Sequence, residues 1–313
     1  MAANNPADAN DSRTTAPSAW RAMLDVALPK LSLIPTGVAS LLFVYGFVAW
    51  TIWLSMTKST LLPTNSFAGL AQYRVLFSLD TWWVSVINLA IFGLLYVLIC
   101  LAIGLFLAIL LDQKIRAEGW LRTIYLYPLA LSLVVTGVVW KWLLNPGLGL
   151  QHFIRSLGFS GFTFDWLITP DMAIYAVVIA AVWQASGFVM ALFLAGLRSI
   201  DDSIIKAAQL DGASLPRVYW SIIIPSLRPV FFSAVILLVS LAIKSFDLVI
   251  ALTDGGPGYS TWLPAIFMYN IGFDRGQIGL GAASATLMMA AVALAMLPML
   301  IAELRERRHD KQG

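Results

Sequence analysis

The chain alternates long apolar runs with short polar interruptions, and the runs are longer than the core of a soluble protein uses. Residues 31–56 and 82–111 contain no charged side chain, and 121–144 is charged only at Arg122 and Lys141, near its ends. Residues 172–197 and 280–302 are again uncharged, and 229–253 carries only Lys244 and Asp247. A hydrocarbon layer of about 30 Å needs about 20 apolar residues in helical form, so each run predicts one transmembrane span. Helices are expected for all six, because a backbone in lipid has to satisfy its own hydrogen bonds. Pro35, Pro128 and Pro298 fall inside the runs and are expected to kink them.

This pattern predicts an all-α membrane protein with a polar, disordered tail over 1–30, a first span over 31–56 and a core from 82 to 302. A loop over 198–228 divides that core, and a basic tail over 303–313 ends it. No short apolar segment with a cleavage site precedes the first run, which is therefore expected to be retained. Composition agrees: 59% of the 313 residues are hydrophobic, 12% are charged and the mean hydropathy is +0.82, too few charges to cover a soluble surface.

Candidate chemistry is sparse. Cys100 is the single cysteine, and His152 and His309 are far apart without clustered carboxylates, so neither an internal disulfide nor a metal site is expected. No nucleophile with a base at membrane depth suggests an intramembrane hydrolase. The Gly-x-x-x-x-Gly-Lys-Ser/Thr loop that cradles nucleotide phosphates is missing, so the chain is not expected to bind ATP itself.

Charge gives an orientation. Fourteen of the 20 basic residues fall on one side of the six spans, among them Arg21, Lys30, Lys114, Arg116, Arg198, Lys206, Arg217, Arg228, Arg305 and Lys311. The other side holds Lys58, Arg74, Lys141, Arg155 and Arg275. The positive-inside rule then predicts that both termini and the 198–228 loop face the cytoplasm. Trp50, Trp53, Trp82, Trp83, Trp140 and Trp142 lie near the outer ends of spans and fit an interfacial belt. Residues 262–275, with Trp262, Phe267, Met268, Tyr269 and Phe273, read as a short interfacial helix.

The loop over 198–228 carries helix signals on both sides of Gly212. Asp201 or Asp202 can cap a helix through Ile204 to Leu210, and Gly212 can take the left-handed conformation that ends it. Ser214 can cap a second helix with Pro216 in its first turn, and Pro225 is expected to break or kink the chain as it returns to the membrane. The apolar set Ile204, Ile205, Ala207, Ala208 and Leu210 suits a helix docked in a protein groove, or one lying on lipid headgroups.

The spacing Lys206-Ala207-Ala208, three residues, Gly212, nine residues, Ile222-Ile223-Ile224-Pro225 resembles the signature of binding-protein-dependent ABC importer permeases. That signature reads Glu-Ala-Ala, three residues, Gly, nine residues, Ile-x-Leu-Pro, so Lys206 reverses the charge of the family's glutamate. The resemblance implies a type I ABC importer fold, with the block as the helix that docks on a cytoplasmic ATPase. Ile204, Ile205, Lys206, Ala207, Ala208, Leu210, Asp211, Gly212, Ala213, Ser214, Pro216 and Pro225 are the coupling residues it implies. "YPLALSLVVTGVVWKWLLNPGLGL", "AGLRSI" and "FDLVIALTDGGPGYSTWLP" resemble the carbohydrate class of these permeases. "KAAQLDGAS", "AIKSFDLVIALTDGGPGYST" and "LGAASA" resemble its glucose and mannose members.

The resemblance further implies a second homologous permease, two ATP-binding subunits that hold the ATP and magnesium, and an extracytoplasmic sugar-binding protein. It also implies a bacterial inner-membrane location, with no nucleic-acid partner and no catalytic residue in this chain. Asp254, Gly255, Gly256 and Pro257 form a turn dense in backbone-permissive residues, which the resemblance places near the binding-protein docking face.

Lys244 and Asp247, three apart, are expected to share a helix face, and either one unpaired at the bilayer midplane costs about 2.5 to 3.5 kcal/mol. They can serve the permeation path or form a structural pair. Ser245, Asn88, Trp183 and Gln184 bring hydroxyl, amide and indole groups to membrane depth, as sugar contacts or as links between helices. The buried charges also admit a second class of function, a sugar carrier driven by an ion gradient, which leaves the Lys206 to Pro225 block unexplained.

Overall fold

The computed structural model describes residues 34–309, except 62, 63, 65 and 114–116; the side chains of Asp202 and of 298–309 are also outside the description. The tail over 1–30, the start of the first span at 31–33, and the basic positions Lys30, Lys114, Arg116 and Lys311 therefore lie outside the described residues. Within them the secondary structure is helical, apart from one isolated β-bridge between Thr57 and Phe67.

Among the described residues, four helices are long and apolar enough to cross a bilayer: α1 (Ile34–Ser55), α3 (Asp80–Asp112), α7 (Pro170–Arg198) and α13, whose apolar part is Ile278–Leu297. Two bent pairs bring the number of candidate spans to six. One is α4 (Glu118–Ala130) with α5 (Leu133–Leu143), bent by 101°; the other is α9 (Leu215–Ser226) with α10 (Arg228–Ile243), bent by 62°. Short helices complete the chain: α2 (Ala71–Ser78), α6 (Leu150–Ser156), α8 (Asp202–Leu210), α11 (Asp247–Thr253) and α12 (Pro264–Tyr269).

The chain divides into two units, one ending at Trp50 and one starting at Thr51. The described part of the first unit is helix with a π-helical stretch at Leu41–Tyr45, and its side chains are largely exposed. In the second unit α7 forms the centre, with Ala180, Val189, Met190 and Phe193 buried.

Small residues let the backbones approach, as membrane helices require in place of a hydrophobic drive between them. A Cβ on Gly104 of α3 would stand 2.6 Å from Val189 Cγ1, and one on Gly187 of α7 would stand 1.8 Å from the Tyr125 carbonyl oxygen of α4. Gly137 of α5 is equally tight against α11, where a Cβ would meet Ala251 Cβ at 2.6 Å.

Two expected spans differ from continuous helices. The run 121–144 breaks at Leu131 and Ser132, both extended, three residues beyond the proline expected to kink it. The run 229–253 ends as helix at Ile243 and restarts at Asp247. Backbone released at such breaks has to find partners. Gln184 Nε2 donates to the Leu131 carbonyl at 2.9 Å, the Ser132 hydroxyl accepts from Val135 N at 3.2 Å, and the Ser245 hydroxyl donates to the Leu241 carbonyl at 2.9 Å.

Other differences are local. The bend after the 198–228 block falls at Leu227, two residues beyond Pro225, and a π-helical stretch at Tyr219–Ile223 precedes it. Helix α13 runs on to His309, so most of the expected basic tail is helical. Trp82, expected in an interfacial belt, is buried with its ring edge-on to Phe267 at 5.3 Å. Trp262 and Phe267 of the expected interfacial helix are buried too, and that segment passes into a π-helical turn at Asn270–Asp274.

Candidate functional site

Two groups of candidate residues lie at opposite ends of the α9–α10 span. The first is the block around Gly212. Asp201 provides the observed cap of α8: its carboxylate accepts from Ser203 N at 2.8 Å. That backbone hydrogen bond, with smaller help from Lys206, holds the Asp201 carboxyl below the usual range. The cap is thus complete above the ordinary carboxylate range and is lost as pH falls through the lowered value.

Gly212 has φ of 82°, and the Ala213 N–H returns to the Ala208 carbonyl at 3.0 Å, closing the helix end. Ser214 has the extended backbone of a cap, and its carbonyl accepts from Val218 N, but its hydroxyl caps nothing. Asp211 is exposed at the end of α8, and Pro216 sits in the first turn of α9.

The apolar residues of the block divide between two directions. Ile205, Ala208 and Ala213 pack against the buried core, whereas Ile204, Leu210, Leu215 and Trp220 are exposed, Leu210 at 89%. Ala207 and Lys206 are exposed beside them. Leu215 and Trp220 were not among the residues picked from sequence; they add exposed apolar side chains beyond Gly212, and only the fold shows that they are uncovered.

Directly before this block in the chain, Arg198 Nη2 meets Glu118 Oε1 at 2.6 Å, and its Nε lies 3.9 Å from Asp112 Oδ1. The cluster ties the end of α7, directly before α8, to the end of α3 and the start of α4.

The second group follows the break in the 229–253 run. With Lys244 at the end of α10 and Asp247 in the first turn of α11, the two no longer share one helix face, and no ion pair joins them among the described residues. Both are exposed on the surface of the chain, while Ser245 between them is buried.

The neighbouring candidates are spoken for by the fold. Asn88 donates from its amide nitrogen to the carbonyls of Tyr259 and Trp262 at 3.1 and 3.0 Å, so it fastens the loop between α11 and α12 to α3. Gln184 serves the break at Leu131, leaving its Oε1 buried without a partner. Trp183 stands edge-on to Trp140 at 5.8 Å.

The turn over 254–258 is tight, as its composition suggests. Asp254 has φ of 55°, Gly255 81° and Gly258 62°. Thr261 is buried, its hydroxyl 2.7 Å from that of Thr253 and donating to the Gly256 carbonyl at 3.2 Å. Gly255 leaves room for Trp262, whose Nε1 would lie 2.7 Å from an added Cβ.

Comparisons with known proteins agree with this arrangement. The model of the family described as "binding-protein-dependent transport system inner membrane component" matches residues 100–309. A probable ABC transporter permease of Pyrococcus horikoshii is 41% identical over 272 residues, covering 86% of this chain and 93% of that protein. The xylose/arabinose import permease of Haloferax volcanii is 37% identical, covering 79% of this chain and 78% of its own. Among solved structures, a bacterial ABC transporter that imports the acidic polysaccharide alginate superposes with a TM-score of 0.76 at 20% identity, over 93% of this chain and 98% of that one. At that identity the likeness is one of fold: the type I importer transmembrane fold.

Proposed function

The chain belongs to the binding-protein-dependent transport system inner membrane components, the permease subunits of ABC importers, and we propose that its cargo is a sugar. It is a multi-pass inner-membrane permease and not an enzyme; ATP is hydrolysed by a partner subunit. The gradient-driven carrier admitted from Lys244 and Asp247 alone draws no support from this membership.

One observation carries the translocation reading: Lys244 and Asp247 are exposed on the surface of the chain at a break in a transmembrane run. Facing lipid there, each costs about 2.5 to 3.5 kcal/mol, so the face that bears them is one covered by protein or water. A second homologous permease lying against this face gives both, with the path between the two chains and Ser245 at its wall. The exposed apolar face of α8 and α9 is then the seat of an ATPase, which puts the block and both termini in the cytoplasm. The turn at Asp254 to Pro257 stands at the far side, where a binding protein delivers its sugar. Closure of the ATPases on ATP drives the helix bundles between inward- and outward-facing states.

The similarity of the xylose/arabinose permease supports the carbohydrate class. The runs around Gly212, Asp247 and "LGAASA" favour a monosaccharide of the glucose and mannose kind within it. Reconstituted with its binding protein, second permease and ATPases, the chain should take up sugar only when ATP is enclosed with the ATPases, and a protonophore should leave uptake unchanged. Uptake without ATP, or its collapse with the protonophore, would contradict the reading.

A further inference from the structure

A cavity of about 460 Å³ opens between α11 and the segment that runs from α12 into its π-helical turn. Its walls follow from helical spacing. Phe246, Ile250 and Asp254 recur every four residues along α11 and the residues that flank it, and Ile266, Asn270 and Asp274 do so along the other side, with Tyr269 beside Asn270 and Trp262 at the head. The cavity falls in the size range of small-molecule sites. One end reaches the tight turn at Asp254; the other reaches Phe246, at the break that exposes Lys244 and Asp247. It therefore joins the outer turn to the wall of the path.

The chemistry of the lining is specific. Asp254 and Asp274 are exposed carboxylates, and neither is ion-paired among the described residues, although Arg275 follows Asp274 in sequence. Asn270 donates from Nδ2 to Asp274 Oδ2 at 3.1 Å, which leaves its Oδ1 buried with no hydrogen-bond partner. The rings of Phe246 and Tyr269, 5.2 Å apart, give an apolar wall. Hydrogen-bond acceptors opposite aromatic faces suit a ligand with many hydroxyl donors and an apolar C–H face. A cation is a poorer match: calcium needs six to eight oxygens, and the described residues hold no group of three or more potential metal-binding side chains.

We propose that this cavity is an entry subsite for a neutral carbohydrate and that the unpaired carboxylates Asp254 and Asp274 exclude anionic sugars. The proposal rests on the sugar-importer reading and adds a charge rule to it. An acidic sugar would bring its own carboxylate beside two others, and like charges repel at such range. The acidic polysaccharide carried by the structural neighbour would thus be refused here.

The test uses the whole transporter in nanodiscs without its binding protein, with Cys100→Ser and a trifluoromethyl label on Phe273→Cys, next to the cavity. Xylose, glucose, mannose and glucuronate are titrated while the fluorine resonance is followed. At least one neutral sugar should shift the resonance to saturation, with glucuronate at least tenfold weaker. Asp254→Asn with Asp274→Asn should remove that discrimination, and Tyr269→Ala should weaken the neutral sugar about tenfold, each in complexes that still assemble. Equal binding of glucuronate and neutral sugars by the unaltered cavity would overturn the proposal, as would affinities unchanged in all variants, while ATP-driven uptake left the importer reading standing. If the complete assembly with its binding protein took up no sugar at all, the importer reading would fail and take the subsite with it.

Discussion

Replacing Gly187 by alanine costs the chain roughly 3 kcal/mol, and replacing it by valine prevents the core from assembling. The cause is contact with backbone, which cannot rotate away: the first added carbon stands 1.8 Å from the Tyr125 carbonyl oxygen and 2.6 Å from its carbon. Penalties for overfilling a packed interior run to about 1 to 3 kcal/mol, and a clash with a main-chain oxygen belongs at the upper end. Separation of α4 from α7 would also pull the Leu131 carbonyl away from Gln184 Nε2 and leave both unpaired within the membrane. Thermal unfolding of the purified assembly measures the effect, with Gly161→Ala as control. No atom lies within 4 Å of the corresponding Cβ there, so the change should stay within about 0.5 kcal/mol.

The second large effect concerns the exposed apolar face. Leu210→Asp should weaken ATPase binding by about 2 kcal/mol or more, roughly 30-fold, because a carboxylate would be buried where a leucine filled a partner's pocket. Gly212→Val reaches the same end by another route. Space around Gly212 is open, so the cost comes from its φ of 82°, a conformation that a β-branched residue enters only under strain. Gly212→Asn, which tolerates that conformation, should retain most transport. Sugar-stimulated ATP hydrolysis and uptake should fall together in the first two variants while the chain still inserts. Normal uptake by Gly212→Val would mean that the turn at α8 does not position the docking face.

What could be read from the sequence, and what could not, follows from the range of the forces involved. The membrane class and the apolar runs are written in local composition. So are the capped helix before Gly212 and the turn at Asp254, whose residue types demand particular backbone angles. The two interruptions were not fully legible: Pro128 predicts a kink in the first run but not its extent, and the break in the second run was not expected, because each is stabilised by a group distant in sequence or by close packing between spans. Gln184 supports the first break from 53 residues away, and Gly137 seats α5 on α11. Pro128, expected to kink this run, and Ser132, an N-cap residue inside it, are the local signs of the first break, and neither fixes where it falls. For the second, the spacing of Lys244 and Asp247 suggested a shared face that the break at Ser245 and Phe246 removes. The pattern shows that Asn88 lies at membrane depth and leaves it as a sugar contact or a link between helices, whereas the partners that make it a link, the carbonyls of Tyr259 and Trp262, lie about 170 residues on and appear only in the fold. The cavity residues Tyr269, Asn270 and Asp274 read as interfacial because aromatic composition does not tell an exposed ring from one that lines a pocket.

Cysteine cross-linking at the tip of α8 tests the coupling claim most directly. With Cys100→Ser and Leu210→Cys in the chain, and a cysteine introduced in the groove of the ATPase, a disulfide should form in the transporting assembly. It should block sugar uptake, and reduction should restore it. Labelling of Leu210→Cys by a membrane-impermeant maleimide from the binding-protein side, with no cross-link to the ATPase during active uptake, would contradict the account.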